Sequence, residues 1–199
     1  MNDDPQVGLI LLAAGESKRM GTPKQLLSYK GCSLIRHAAT EAVSSNCNPI
    51  VVVLGAKSDR ITPELDNLPV RVCQNDRWQQ GMSSSIVTRI EVLLEINSSL
   101  DAAIVELADR PLVTAKVHNR LIERYRHTRV KAIASTYSQT IGVPALFDKN
   151  LFAELCNIQG KGGAKRLLQD RSNPKHNLTV PEAALDINTP TDYQNLLNL

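Results

Sequence analysis

Residues 7–27, VGLILLAAGESKRMGTPKQLL, decide the fold. Val7 to Leu12 is an unbroken apolar run of strand length, the pattern of a strand buried on both faces. The run empties into Ala13-Ala14-Gly15, a loop of small residues. Four cations follow: Lys18, Arg19, Lys24 and Lys30. A buried strand that opens onto a glycine-containing loop with basic residues behind it is how α/β proteins hold phosphates. Backbone N–H groups are fixed donors, and Lys and Arg bring charge. Spacing excludes two familiar phosphate loops. Five residues separate Gly15 from Gly21 where a Walker loop allows four, Thr22-Pro23 follows Gly21, and no G-x-G-x-x-G occurs.

Working outward, Ile50 to Leu54 and Ala102 to Leu107 are further buried strands, and Pro69 to Cys73 is a shorter or edge strand. Helical stripes lie between them. One runs through Leu34, Ile35, Ala38, Ala39, Ala42 and Val43 from a start at Ser33. A second runs through Ile86, Val87, Ile90, Leu93 and Leu94 from near Ser83, and a third through Val117, Leu121, Ile122 and Tyr125. Thr189-Pro190-Thr191-Asp192 opens the last helix, with a capping Thr, Pro at the first helical position and an acid behind it. Lys131 to Ser135, Val143 to Phe147 and Ala184 to Ile187 read as additional strands. Alternating strands and helices predict a three-layer α/β/α sandwich with a mostly parallel, Rossmann-like sheet. Ligands of such sheets sit beyond the carboxyl ends of the strands, where the first loop lies. No linker or repeat divides the chain, so residues 1–199 are expected to form one domain with residues 1–6 as a flexible lead.

Composition narrows the class. Of 199 residues 42% are hydrophobic and 22% charged, a globular balance, and the formal net charge is only +3. That argues against a nucleic-acid partner, whose binders concentrate more basic charge. The start, MNDDPQ, is polar and acidic rather than a signal sequence, and no apolar run reaches the length of a membrane span, so no membrane association and a cytoplasmic location are expected. Cys32, Cys47, Cys73 and Cys156 are far apart and expected to be reduced and mostly buried. His37, His118, His127 and His176 are scattered and expected on helix surfaces or in packing rather than on a metal.

Three more stretches carry chemistry. Glu106-Leu107-Ala108-Asp109-Arg110-Pro111-Leu112 leaves a buried strand, and an Asp at that edge can hold Mg²⁺, which prefers carboxylate oxygen. Asn75 to Ser85 contains Trp78, Gly81, Met82 and Ser83, with Gly81 allowing close backbone approach and Ser83 able to cap a helix and donate to a base edge. Asp186-Ile187-Asn188-Thr189 precedes the last helix.

Together these stretches resemble the MobA-like NTP transferases, above all the molybdenum cofactor cytidylyltransferases. L-A-A-G-x-S-x-R-M-G-x-P-K is matched by Leu12, Ala13, Ala14, Gly15, Ser17, Arg19, Met20, Gly21, Pro23 and Lys24. N-x-x-W-x-x-G-M-x-x-S is matched at Asn75 to Ser85, D-x-P-L at Asp109 to Leu112 and G-x-P-x-L-F at Gly142 to Phe147. The resemblance implies a fold of the nucleotide-diphospho-sugar transferase type and an Mg²⁺-dependent nucleotidyltransferase. It implies transfer of CMP from CTP to the phosphate of a molybdopterin-type acceptor, with pyrophosphate leaving. Its catalytic residues are expected to be Arg19, Lys24 and Asp109. Its nucleotide contacts are expected from Leu12, Ala13, Ala14, Gly15, Ser17, Arg19, Lys24, Asn75, Gly81 and Ser83, and its metal ligands are Asp109 and Asp186. Ala14 stands where the guanylyltransferase relatives carry a second Gly, which favours CTP. Two positions depart from the pattern. Asn188 replaces the second carboxylate of D-I-D-T-P-x-D, and Lys161 replaces an Asp in the G-D-x-G-A-R/K turn. They keep alternatives open: GTP as donor, a sugar or alcohol phosphate as acceptor, or a non-catalytic cofactor carrier for a molybdoenzyme.

Overall fold

The structure, a computed structural model, describes residues 4–76, 78, 82–157 and 163–199, with residues 82–88 described as backbone only. Its elements run β1 (Val7–Ala13), β2 (Ser28–Tyr29), β3 (Cys32–Ser33), α1 (Leu34–Val43), β4 (Ile50–Leu54), α2 (Ser58–Ile61), β5 (Arg71–Gln74), α3 (Met82–Ile96) and β6 (Ala102–Leu107). The order continues α4 (Ala115–Thr128), β7 (Ala132–Tyr137), β8 (Thr140–Asp148), α5 (Phe152–Cys156), α6 (Gly163–Arg171), β9 (Leu178–Thr179) and α7 (Pro190–Leu197). Seven strands form one sheet in the order β5-β4-β1-β6-β8-β7-β9. β5, β4, β1 and β6 are parallel, β8 runs antiparallel between β6 and β7, and β9 is parallel to β7. The mostly parallel sheet expected from the alternation is therefore present.

Alternate residues of β1 feed two cores. Leu9, Leu11 and Ala13 pack with α1 and α4, through Ile35, Ala39, Val117 and Leu121. Ile10 and Leu12 face the opposite way, onto Ile90 and Leu93 of α3 and Leu155 and Leu168 of α5 and α6. The sheet is thus covered on both faces, which is why β1 is buried at every position. The chain moves outward from β1 to β4 and β5, then returns to the other side of β1 as β6. That reversal makes a crevice at the carboxyl ends of β1 and β6.

Local signals set several ends. Ser33 caps α1 by accepting from Arg36 N at 3.3 Å. Thr189 and Asp192 form a reciprocal capping box around Pro190 at the start of α7. Lys30 and Gly31 both have positive φ, 49° and 83°, the backbone of a tight two-residue hairpin turn between β2 and β3.

Some expectations are corrected. Ala184 to Ile187 is not a strand: a 3-10 turn covers Pro181–Ala184, and the residues after it cross the ends of the strands instead of lying beside one. Ile187 N donates to Asp109 O at 2.9 Å and its buried side chain packs with Tyr29, Leu34 and Leu196, so extended backbone here serves as a strap. The four cysteines are free, but only Cys47 is buried. Of the first six residues, Gln6 is tied on both sides to Asp101, at 3.1 and 2.8 Å. No helix among the described residues is long and apolar enough to cross a membrane.

Candidate functional site

The crevice holds a cavity of about 380 Å³ lined by residues of five segments: the β1 loop, the start of α1, Trp78, the end of β6 and the strap at 186–188. Leu12, Ala13, Ala14, Gly15, Lys24, Asp109 and Asp186, all expected from sequence, line it. Asn188, Gln25, Leu34, Trp78, Leu107 and Ala108 complete the wall.

The β1 loop owes its shape to Gln25. This side chain is 4% exposed, and its Nε2 donates to Ala13 O and Gly15 O, both at 2.9 Å. Ser17 is held in a left-handed conformation, φ 61°, and its Oγ accepts from Lys24 N at 3.1 Å and donates to Gln25 Oε1 at 3.2 Å. Leu12 O accepts from Ala108 N, which joins the loop to the end of β6. These carbonyls are therefore turned into the protein and away from an anionic guest. A Cβ built on Gly15 meets nothing within 4 Å, so open space lies against the loop there.

Asp109 is the second residue after β6, in the turn that leaves the strand. Pro111 O is 3.0 Å from His37 Nε2 of α1, and Arg110 packs over the Tyr137 ring at 4.6 Å and donates to Ala183 O. These contacts anchor the loop after Asp109, and Ala108 N donating to Leu12 O anchors it before. Lys24 Nζ lies 2.5 Å from Asp109 Oδ2 and 3.1 Å from Asn188 Oδ1, and Asn188 Nδ2 donates to Asp186 Oδ2 at 2.5 Å. Two carboxylates, one amide and one ammonium form a chain across the cavity mouth. Asp109 Oδ1 is buried and has no partner among the described residues.

That donor set fits a hard divalent ion: two carboxylates and an amide oxygen, with one buried carboxylate oxygen unspent. Among the described residues no group of three His, Cys, Asp or Glu side chains is placed for a metal, so Asn188 would have to serve as the third oxygen. The remaining expected residues stand apart. Arg19 is exposed, outside the cavity lining, and its charge helps lower the Asp192 carboxyl, after Thr189's hydrogen bond. Ser17 acts inside the loop. Asn75 is buried, its N–H donating to Leu54 O at 2.8 Å and its carbonyl accepting from Trp78 N at 3.2 Å. Ser83 lies in α3, with its side chain outside the described residues, as are Gly81 and Lys161 altogether.

Two residues escaped the sequence reading. Gln25 carries no signal beyond being a polar side chain between apolar neighbours. Gly55 had one: a glycine at the end of a buried strand marks a close approach. A Cβ there would lie 2.6 Å from Ala14 O and 2.7 Å from Trp78 Cβ. Only glycine lets β4 end against both the loop and the tryptophan.

The solved structure of Rv0371c from Mycobacterium tuberculosis H37Rv superposes with a TM-score of 0.83 at 25% identity, covering 98% of both chains. A structure of Rv0371C with manganese gives 0.78 at 24%, covering 98% of this chain and 99% of that one. In sequence, nicotine blue oxidoreductase of Paenarthrobacter nicotinovorans is 31% identical over 176 residues, 85% of this chain and 84% of that protein. The MobA-like NTP transferase domain matches residues 9–177, from the third residue of β1 to just before β9, and the chain belongs to that family of nucleotidyltransferases.

Proposed function

We propose that this nucleotidyltransferase transfers CMP from CTP to the phosphate of a molybdopterin-type acceptor and releases pyrophosphate. The observation that carries the reading is Lys24, held between Asp109 and Asn188 beside the Gly15 loop in the crevice where the strand order reverses. Ala13 to Gly15 would face the phosphates with their N–H groups. Lys24 would bind the α-phosphate and offset charge that builds there as the acceptor oxygen attacks and pyrophosphate departs. Asp109 and Asp186, with Asn188, would hold Mg²⁺, which when bound supplies charge neutralisation to the phosphate oxygens. Arg19, on the exposed tip of the loop, would reach the outer phosphates, and the apolar wall of Leu34 and Trp78 would shelter the site from water. Ala14 supports CTP over GTP.

A second reading rests on the relative named for oxidoreduction. A lysine against one carboxylate and an amide oxygen, with a second carboxylate beyond the amide, suits a phosphate and a metal better than it suits electron transfer. The deciding experiment measures pyrophosphate release from CTP, GTP, ATP and UTP with Mg²⁺ and molybdopterin, and reduction of nicotine blue in parallel. Pyrophosphate from CTP upholds the proposal. Reduction without pyrophosphate replaces it, and CTP binding without either marks a carrier.

A further inference from the structure

Lys24 is asked to be in two places. A lysine that binds an α-phosphate must offer its ammonium to the cavity. Here the ammonium is 2.5 Å from Asp109 Oδ2, and the two side chains are only 14% and 15% exposed. It also donates to Asn188 Oδ1, while the Asn188 amide donates to Asp186 Oδ2. These three oxygens are the ones a divalent ion would take, and the fourth candidate, Asp109 Oδ1, is enclosed. Every oxygen of that set with a partner has it from inside the chain Asp109–Lys24–Asn188–Asp186.

We infer that Lys24 and Asn188 form an electrostatic latch, which keeps a free divalent ion out of the Asp109–Asp186 pocket until a polyphosphate draws the Lys24 ammonium away. The inference rests on the reading of the cavity as a nucleotide site. An ion entering alone meets a fixed positive charge on the same lone pairs, and cations at that separation repel strongly in a partly dry site. An ion entering with a polyphosphate brings acceptor oxygens for the ammonium. One charge-assisted hydrogen bond is then exchanged for another of similar strength. Asn188 suits this arrangement because an amide offers an oxygen to Lys24 and an N–H to Asp186 at once. A carboxylate there would have no donor for Asp186. Metal and phosphate affinities are therefore coupled, and the coupling is reciprocal.

Two measurements test the latch on the full chain. Mn²⁺ alone, with no nucleotide, is titrated into wild type, Lys24→Gln and Lys24→Arg and followed by the spin resonance of the free ion. Gln can still donate to Asp109 but carries no charge, so Lys24→Gln is expected to bind Mn²⁺ at least about tenfold tighter than wild type, roughly 1.4 kcal/mol. Lys24→Arg keeps the charge and stays as weak as wild type. CTP is then titrated in the presence of EDTA. Asp109→Asn should tighten this metal-free binding by at least about threefold, although it removes a metal ligand, because it releases the ammonium. Equal or weaker Mn²⁺ binding by Lys24→Gln overturns the latch, and so does unchanged or weaker metal-free CTP binding by Asp109→Asn. If Lys24→Gln does not fold, the second measurement decides alone. A gain in Mn²⁺ affinity in a chain that turns over no nucleotide would keep the latch and reject the proposed reaction.

Discussion

The end of β6 carries two carboxylates, Glu106 and Asp109, and each meets a group able to carry positive charge. Glu106 hydrogen-bonds His118 of α4, with the side chains 2% and 0% exposed. Asp109 meets Lys24. The first pair is sealed among apolar packing, beside Cys47, whose thiol burial pushes up to about 12, the Glu106 charge adding to the effect. Nothing can reach Glu106 to compete for it. The second pair borders a cavity and leaves Asp109 Oδ1 unspent. The same chemistry three residues apart therefore has two uses. A pair that no guest can approach contributes only to packing and stability, whereas a pair at a cavity mouth can exchange its cation.

The sharpest way to break this contrast is to remove the sealed carboxylate. Glu106→Ala should lower stability by about 3–5 kcal/mol, by leaving His118 buried without its partner, and keep turnover of the folded protein within roughly threefold. Urea unfolding and pyrophosphate release measure the two separately. A folded Glu106→Ala that is inactive would erase the distinction. The mirror experiment is Asp109→Asn, expected to cut turnover by about 10²–10³-fold while the melting temperature moves little.

A third test leaves both carboxylates alone. Gly55→Ala must displace both Ala14 and Trp78, so the KM for nucleotide should rise by about tenfold with kcat less affected. A smaller effect sharpens the cavity side itself: Asn188→Asp takes the amide donor from Asp186 and adds a charge, and should lower the Mg²⁺ concentration for half-maximal turnover by about threefold. The smallest concerns a third carboxylate nearby, half-buried Asp192. Hydrogen bonding by Thr189, more than any other cause, lowers its pKa. A lowered folded value means that the stabilisation is present above the unfolded pKa and is lost as pH falls through the folded one. Asp192→Asn should therefore cost less than about 1 kcal/mol near neutrality, and that cost should vanish in acid, as denaturant titrations across pH would show.

What was legible in the sequence was what is local. β1 announced itself by an unbroken apolar run, and Ser33 and Thr189 announced helix starts, because a cap acts within one turn. Asp109 was visible because it leaves a buried strand. Ala184 to Ile187 misled for a physical reason: alternating apolar residues signal extended backbone with one buried face, and the strap has that without a neighbour to pair with. The partners of Lys24 could not be read, since Asp109 and Asn188 come from 85 and 164 residues away. Nor could the antiparallel placement of β8 between β6 and β7, which depends on the order of strands in space. Arg19 was assigned by resemblance, and its place on an exposed tip is a fact only of three dimensions.

Gln25 has a consequence for how such a loop can diverge. Its one amide closes the chain from Ala13 to Gln25 into a ring, with Glu16 and Lys18 on the rim and Ala13 to Gly15 at the base. Changes on the rim need not be felt at the base, because the amide fixes the base independently. Substitution of Glu16 or Lys18 is therefore expected to leave the backbone from Ala13 to Gly15 in place, whereas substitution of Gln25 frees both carbonyls. A single buried glutamine thus separates a rim that can be altered from a base whose shape it sets.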